Sequence, residues 1–297
     1  MRRIQVGAKF AVAIVVLAVA GIGPVWAEQP SESPVELVRQ TILRETAPAF
    51  DEARAIFEDR KETPRGSQTK LIVETRDGTA GMKVAVNGKP LTPEEREAEE
   101  ARLSGLVSNP DALKKKQKSE KEDEERTLRI MRALPDAFLF EPDSTAVGTQ
   151  EIGKAGDRLV RLKFRPNPKF VPPSHVEQVL TGLQGYILID ADQHRIAKID
   201  GTLGKDVGFG WGILGRLDRG GHFLVEQAEV IPGRWEVTHM SVSFTGKELL
   251  FKSINISFDE VFHNFRPAPP NLTFSEGVVL LKKQGAEIAE NLQPGHR

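Results

Sequence analysis

The chain contains no cysteine. That absence excludes a disulfide scaffold, a lipid-modified N-terminal cysteine, a thiolate zinc site and a cysteine nucleophile. An excess of either charge is also missing: 41 Lys and Arg face 42 Asp and Glu over 297 residues. A nucleic-acid partner needs a concentrated basic face, which this balance does not supply. No G-x-S-x-G elbow and no H-E-x-x-H or H-x-H spacing occurs, so neither a serine hydrolase nor a zinc enzyme is written locally. The six histidines, His175, His194, His222, His239, His263 and His296, are expected to be paired or packed. No catalytic residue, metal or cofactor is named, and a metal or catalytic site assembled across strands stays open.

Long apolar runs are scarce too, and the single one stands at the N-terminus. Arg2, Arg3 and Lys9 precede an uncharged apolar stretch from Phe10 to Gly21, and Val25-Trp26-Ala27 follows. This is the pattern of a cleavable export signal over residues 1–27, cut after Ala27. A membrane anchor needs roughly 20 apolar residues, and this core is about a dozen. Arg2-Arg3 raises twin-arginine export, but Ile4-Gln5 fits that motif poorly, so the general secretory route is expected. The mature chain would lose three basic residues and no acidic one, leaving 38 basic against 42 acidic. A periplasmic or otherwise exported protein, soluble after cleavage, is the expectation.

What is present is mostly alternation. Leu71, Val73 and Thr75 alternate with Lys70, Ile72, Glu74 and Arg76; Met82, Val84 and Val86 alternate with Lys83, Ala85 and Asn87. Asp77-Gly78 between them is a hairpin turn. After Pro135 the period of two persists to about Phe265, with turns at Asp190–Gln193, Asp218–Gly221, Pro232-Gly233 and Thr245-Gly246. Strands arriving at that spacing form one sheet or barrel. Helices interrupt it: Ser33-Pro34-Val35-Glu36 opens one to about Thr46, and Thr92-Pro93-Glu94-Glu95 opens another. Asn109-Pro110 restarts the second, and a mixed-charge stretch from Lys114 to Arg126 leads to an apolar stripe at Leu128, Met131 and Leu134. Residues 92–134 read as an inserted helical hairpin, and Thr273 caps a last helix. The expected organisation is a signal over 1–27, one domain over 28–275 with the insertion 92–134, and a C-terminal helix and tail over 276–297.

Gly210-Trp211-Gly212-Ile213-Leu214-Gly215 matches the dinucleotide fingerprint G-x-G-x-x-G. The fingerprint needs a helix after it to hold the pyrophosphate, and a turn into a strand follows here. The stretch from Gly204 to Gly215 is instead expected to be a flap at the cavity mouth with Trp211 at its tip, or a close-packed segment whose glycines let strands approach while Trp211 stays packed under the hairpin. Asp190 and Asp192 read as turn residues rather than an acid/base pair.

Several segments together carry a resemblance: Gly185–Asp190, Arg195–Leu203, Phe209–Gly212, Gly221–Gln227, Phe244–Lys252 and Asn87–Leu91. With the charged hairpin they resemble a group of uncharacterised exported bacterial proteins. The strand order is similar to the periplasmic lipoprotein carriers LolA and LolB. The resemblance implies an α+β fold: a strongly curved antiparallel meander, or incomplete β-barrel, with an N-terminal helix and the inserted hairpin as lid. It also implies an apolar cavity for acyl chains. The apolar phase of the alternating strands nominates Val73, Met82, Val84, Val160, Leu162, Phe164, Met240, Val242 and Phe244 as lining, with Trp211 above them. The expected ligand is hydrophobic or amphiphilic, a lipid or lipoprotein, with transient membrane contact compatible and nucleic acid excluded. A periplasmic carrier or sensor, not an enzyme, is the first reading. An envelope hydrolase using scattered Asp, Glu and His, and a structural partner of an envelope complex, remain the alternatives.

Overall fold

Local sequence decides where the helices begin. Helix α1 (Pro34–Glu45) starts on Ser33, whose hydroxyl accepts the Glu36 N–H at 3.3 Å. Glu36 does not close a capping box with Ser33; its carboxylate accepts from Gln40. Helix α2 (Pro93–Ser108) has the full box, Thr92 and Glu95 bonding each other's backbone N–H. Asn109 caps α3 (Pro110–Ala137), and Thr273 with Glu276 caps α4 (Phe274–Asn291). Two boundaries differ from expectation. Helix α3 runs through Pro135 to Ala137 rather than stopping at Leu134, because a proline in the last turn removes one backbone bond and no more turns follow. Helix α4 begins at Phe274, ahead of the expected boundary at 276.

The computed structural model describes residues 32–47, 54–209, 215–248 and 252–291. The signal segment 1–27 and residues 210–214, including Trp211, lie outside the described residues. The described residues from Ser33 onward belong to one unit. Its strands are β1 (Ala55–Thr63), β2 (Gly66–Thr75), β3 (Gly78–Val86), β4 (Lys89–Pro90), β5 (Phe138–Val147), β6 (Arg158–Pro166), β7 (Leu183–Asp190), β8 (Arg195–Leu203), β9 (Val207–Phe209), β10 (Gly215–Leu217), β11 (His222–Ile231), β12 (Arg234–Glu248) and β13 (Lys252–Pro267). They form a single sheet in the order β4-β3-β2-β1-β13-β12-β11-β8-β7-β6-β5, with β9 and β10 as a side branch on β12. Every pairing between strands is antiparallel. The fold is mixed α+β with four helices among the described residues, and the large sheet does not close, which fits an incomplete barrel.

Two meanders are therefore joined by one long-range pair, β1 with β13. Following the register across that pair shows which side chains share a face. Ile56, Leu71, Val73, Ala80 and Met82 lie on one face and form a core with Phe274, Val278 and Leu281 of α4 and Leu103 of α2. Leu162, Phe164, Ile187 and Leu183 lie on the opposite face, where they pack with Leu37, Val38 and Ile42 of α1 and Leu134 and Ala137 of α3. The sheet thus buries one side at its β1–β3 end and the other side at its β5–β8 end. A small third cluster, with Trp235, Leu188 and Leu159, fills beneath the 148–157 loop.

The two edge strands, β4 and β5, are consecutive in the chain, and α2 with α3 connects them. Helix α3 has 28 residues, about 42 Å at the helical rise. Its early residue Leu113 packs on the β1–β3 core, and Ile130 to Ala137 pack on the other. Gln117 holds the β2–β3 turn by donating to the Asp77 carbonyl at 2.6 Å. Helix α2 lies along the exposed side of β3. There the Glu99 carboxylate accepts the Lys83 N–H at 2.8 Å, and Arg102 donates to the Gly81 carbonyl at 2.8 Å. These side chains satisfy an edge that would otherwise offer a template for aggregation. The far edge, β5, is blunted by Pro142 and a bulge before Ser144.

Leu103 is fully buried, so the inserted hairpin is part of the core and not an appendage. Leu103→Ala should cost about 2–5 kcal/mol, read by urea denaturation at neutral pH. A cost near zero would mean that α2 is dispensable for the sheet.

Candidate functional site

The residues nominated as lining separate by face. Val160, Leu162 and Phe164 on β6 and Met240, Val242 and Phe244 on β12 share one face of the sheet. Val73, Met82 and Val84 lie on the other, buried or half-buried against α4. A single cavity lined by all nine does not exist: the register through β1 and β13 turns the β2–β3 apolar phase to the opposite side. Trp211 lies outside the described residues, and only Gly204–Phe209 and Gly215 of the proposed flap are described. Strand β10 follows Gly215, so the glycine fingerprint lacks its helix. Asp190 accepts the N–H groups of Asp192 and Gln193 at 3.1 and 3.0 Å, the turn that the sequence suggested.

The shared face is apolar across eight strands. It runs from Phe140 through Phe164, Leu162, Ile187 and Ile199 to Phe223, Val225, Met240 and Val242, and on to Phe258, Phe262 and Phe57. Helices α1 and α3 cover its β5–β8 end. On this face no helix among the described residues packs extensively on β11, β12, β13 or β1, whereas α4 meets Ile56 of β1 on the opposite face. The side chains there are half-buried. Phe57 stacks on Phe265 with centroids 5.0 Å apart and meets Phe262 edge-on at 6.1 Å, favourable aromatic geometries.

Four charged residues stand inside this face where β1, β2 and β13 meet: Asp59, Lys61, Lys70 and Glu260. Lys61 donates to Glu260 at 2.8 Å and lies 3.9 Å above the Phe258 ring. Lys70 is 3.7 Å from Asp59, an ion pair without a hydrogen bond. Asp59 is 7% exposed, and its Oδ1 has no hydrogen-bond partner among the described residues. Burial and the adjacent Glu260 carboxylate push the Asp59 carboxyl up to about 6, against the pull of Lys70 and Lys61. Charges are costly in such surroundings unless they are paired and hydrogen-bonded. Beyond Lys61 a groove of about 330 Å³ opens, lined by Lys61, Arg65 and Lys83 with Thr63, Ser67, Gln68 and Asn87, and by no carboxylate.

The opposite face is polar over the same strands. His239 sits between Glu226, 3.1 Å from Nδ1, and Asp259, 2.9 Å from Nε2. Burial works against its charge, but both carboxylates outweigh that and the imidazole is raised above its ordinary value. Lys198 donates to Glu226, and Asp200 takes Tyr186 and His222. No group of three or more side chains able to hold a metal occurs among the described residues. No helix among them is long and apolar enough to cross a membrane.

Asp59, Glu260, Lys61, Lys70, Arg65 and Lys83 carry no sequence signal of a site. Phe57, Asp59 and Lys61 alternate like any strand, and their neighbour β13 comes about 200 residues later. Because the Asp59 pKa rises from 3.8 to about 6, the folded chain keeps a proton there that the unfolded chain releases. Stability from this group therefore falls as pH climbs from about 4 to 6 and stays low above that. Asp59→Asn should flatten that slope by on the order of 2–3 kcal/mol, measured by urea denaturation across the window. Equal slopes in the two proteins would mean that Asp59 titrates normally.

No protein-family model matches this chain, and neither a curated protein nor a solved structure is significantly similar to it.

Proposed function

We propose that the protein is an exported carrier or sensor that holds an amphiphile on the apolar face between β8 and β1. The observation that supports this is the continuous row of half-buried apolar side chains from Phe223 and Val225 through Met240 and Val242 to Phe258 and Phe262. No described helix covers it, although the same face is sealed by α1 and α3 a few strands away. An apolar surface of that extent calls for a ligand or partner. In this reading α2 and α3 act as a strap between the two sheet edges. The protein binds and releases, and catalyses nothing. An open half-barrel of this kind is also what the likeness to lipoprotein carriers would require.

Export is the other half of the reading, and it rests on the short apolar core and Val25-Trp26-Ala27. Protein secreted by a bacterial host should begin at Glu28 on N-terminal sequencing. A product retaining Met1 and sedimenting with membranes would overturn it.

A charge at Met240 would place a second carboxylate directly opposite Glu260 and against the apolar Val225. Met240→Asp should abolish binding of a fluorescent fatty acid while the sheet signal in circular dichroism persists. Met240→Leu should bind as the parent does and controls for folding. Unaltered uptake by Met240→Asp would place the ligand elsewhere.

A further inference from the structure

We infer that the groove beside the β1–β2 turn is the headgroup subsite of that ligand, and that the ligand is a single-chain lipid ending in a phosphate. The inference rests on the apolar-face reading and adds the chemistry of the head. Lys61, Arg65 and Lys83 converge on a space of about 330 Å³ whose other polar lining residues, Thr63, Ser67, Gln68 and Asn87, are all uncharged. The register explains the convergence. Lys61 faces Gln68 across β1 and β2, and Gln68 faces Val86 across β2 and β3, while Lys83 faces Lys70 on the same side. All project from the face that carries Phe258 and Val242.

Charge is left over here. Neither Arg65 nor Lys83 forms an ion pair among the described residues. Glu99 feels Lys83, but its carboxylate is already held by Arg102 at 2.7 and 2.8 Å. Lys70 has only the long contact with Asp59. Lys61 is answered by Glu260, but Arg65 and Lys83 have no counter-charge of their own among the described residues and repel each other until an anion arrives. Two unpaired cations exceed what one carboxylate would need. A phosphate monoester carries close to two negative charges at neutral pH and several acceptor oxygens, and it matches the set better.

The groove and the apolar face are continuous through one residue. Lys61 lines the groove, and its ammonium lies 3.9 Å above the Phe258 ring. A head seated between Arg65 and Lys83 would lead its chain over Phe258, then Val242 and Phe223, toward Ile199. From β1 to β8 the path crosses four strand spacings, about 19 Å, which suits an extended long acyl chain. Here the ring faces and aliphatic side chains would replace water around the methylenes, and each methylene buried would tighten binding.

The test compares two probes that differ only by the phosphate: 1-oleoyl lysophosphatidic acid and 1-oleoylglycerol. Each is titrated into the full mature chain by calorimetry. The phosphate-bearing probe should bind at least about tenfold tighter, and added salt should narrow that gap. The double variant Arg65→Gln, Lys83→Gln should bring the ratio close to one. Both residues are surface cations, and an unchanged thermal midpoint confirms that folding is intact. Glycerol 3-phosphate alone should bind far more weakly than either lipid. Equal affinity for the two lipids, or a ratio that survives the double variant, overturns the headgroup assignment and leaves the apolar-face reading standing. Failure of both lipids to bind overturns the reading itself and the subsite with it. Binding of glycerol 3-phosphate as tight as the lysophosphatidic acid would also overturn the assignment, because the chain would then contribute nothing.

Discussion

Strand β1 pairs with β13, and the rest of the sheet is organised by that register. Residues 55–62 meet residues 259–267 in antiparallel alignment with one bulge, at Glu58. The pair joins a meander of β1–β4 to a meander that ends with β11–β13, so it sets which side of each is buried. Because side chains alternate strictly, a slip of one residue here would swap the faces of half the molecule. It would bring Val73 and Met82 to the side of Leu162 and Phe164, and it would expose the surface that α4 covers. Asn264, with φ of 58°, sits in the bulge, a backbone region that Asn tolerates better than most residues. Its amide donates to Glu58 at 2.9 Å, which ties the irregular turn of β13 back to β1.

The change of buried side explains the helices. A sheet that buries one face at one end and the other face at the other end needs cover on both. Helix α4 supplies it at β2–β3, and α1 with the end of α3 supplies it at β5–β8. Between them the described strands β11, β12, β13 and β1 carry no extensive helix cover on the apolar face, while on the other face α4 meets Ile56 of β1 and Arg266 of β13. One of those faces is polar and satisfies itself through Asp259, His239, Glu226 and Lys198. The other is apolar with a half-buried ionic set at its margin. Water is a poor neighbour for the first kind of surface, and low polarity is a poor neighbour for the second. That juxtaposition, more than any single residue, distinguishes this stretch from ordinary sheet.

Much of the local structure was legible in the sequence. Ser33, Thr92, Asn109 and Thr273 cap the four helices as read, because caps act through bonds within three residues. Asp77-Gly78 makes the β2–β3 turn for the same reason, with Gly78 at φ 123° and Thr75 bonding across it. Errors came where the outcome depends on distant packing. Pro135 stays helical in the last turn of α3, where little backbone bonding is lost and its ring is buried. Ile72 occupies the outward phase of its strand and is still buried, beside Phe57 and Gly81 on the second face.

The site divides in the same way. Alternation alone placed Met240, Val242 and Phe244 in phase with one another, as it did Val160, Leu162 and Phe164, because period two is a property of each strand. Whether two strands present the same side to a ligand depends on every register between them, and no local pattern encodes that. The cationic groove was illegible for a related reason: Lys61, Arg65 and Lys83 are ordinary surface residues until β1, β2 and β3 align. The sequence by itself determined the elements, their caps and turns, and the absence of cysteine chemistry, since these follow from neighbours along the chain. Only the tertiary structure decided which faces agree, where charge accumulates without a partner, and that the apolar row ends at those cations, because each depends on contacts between residues up to about 200 positions apart.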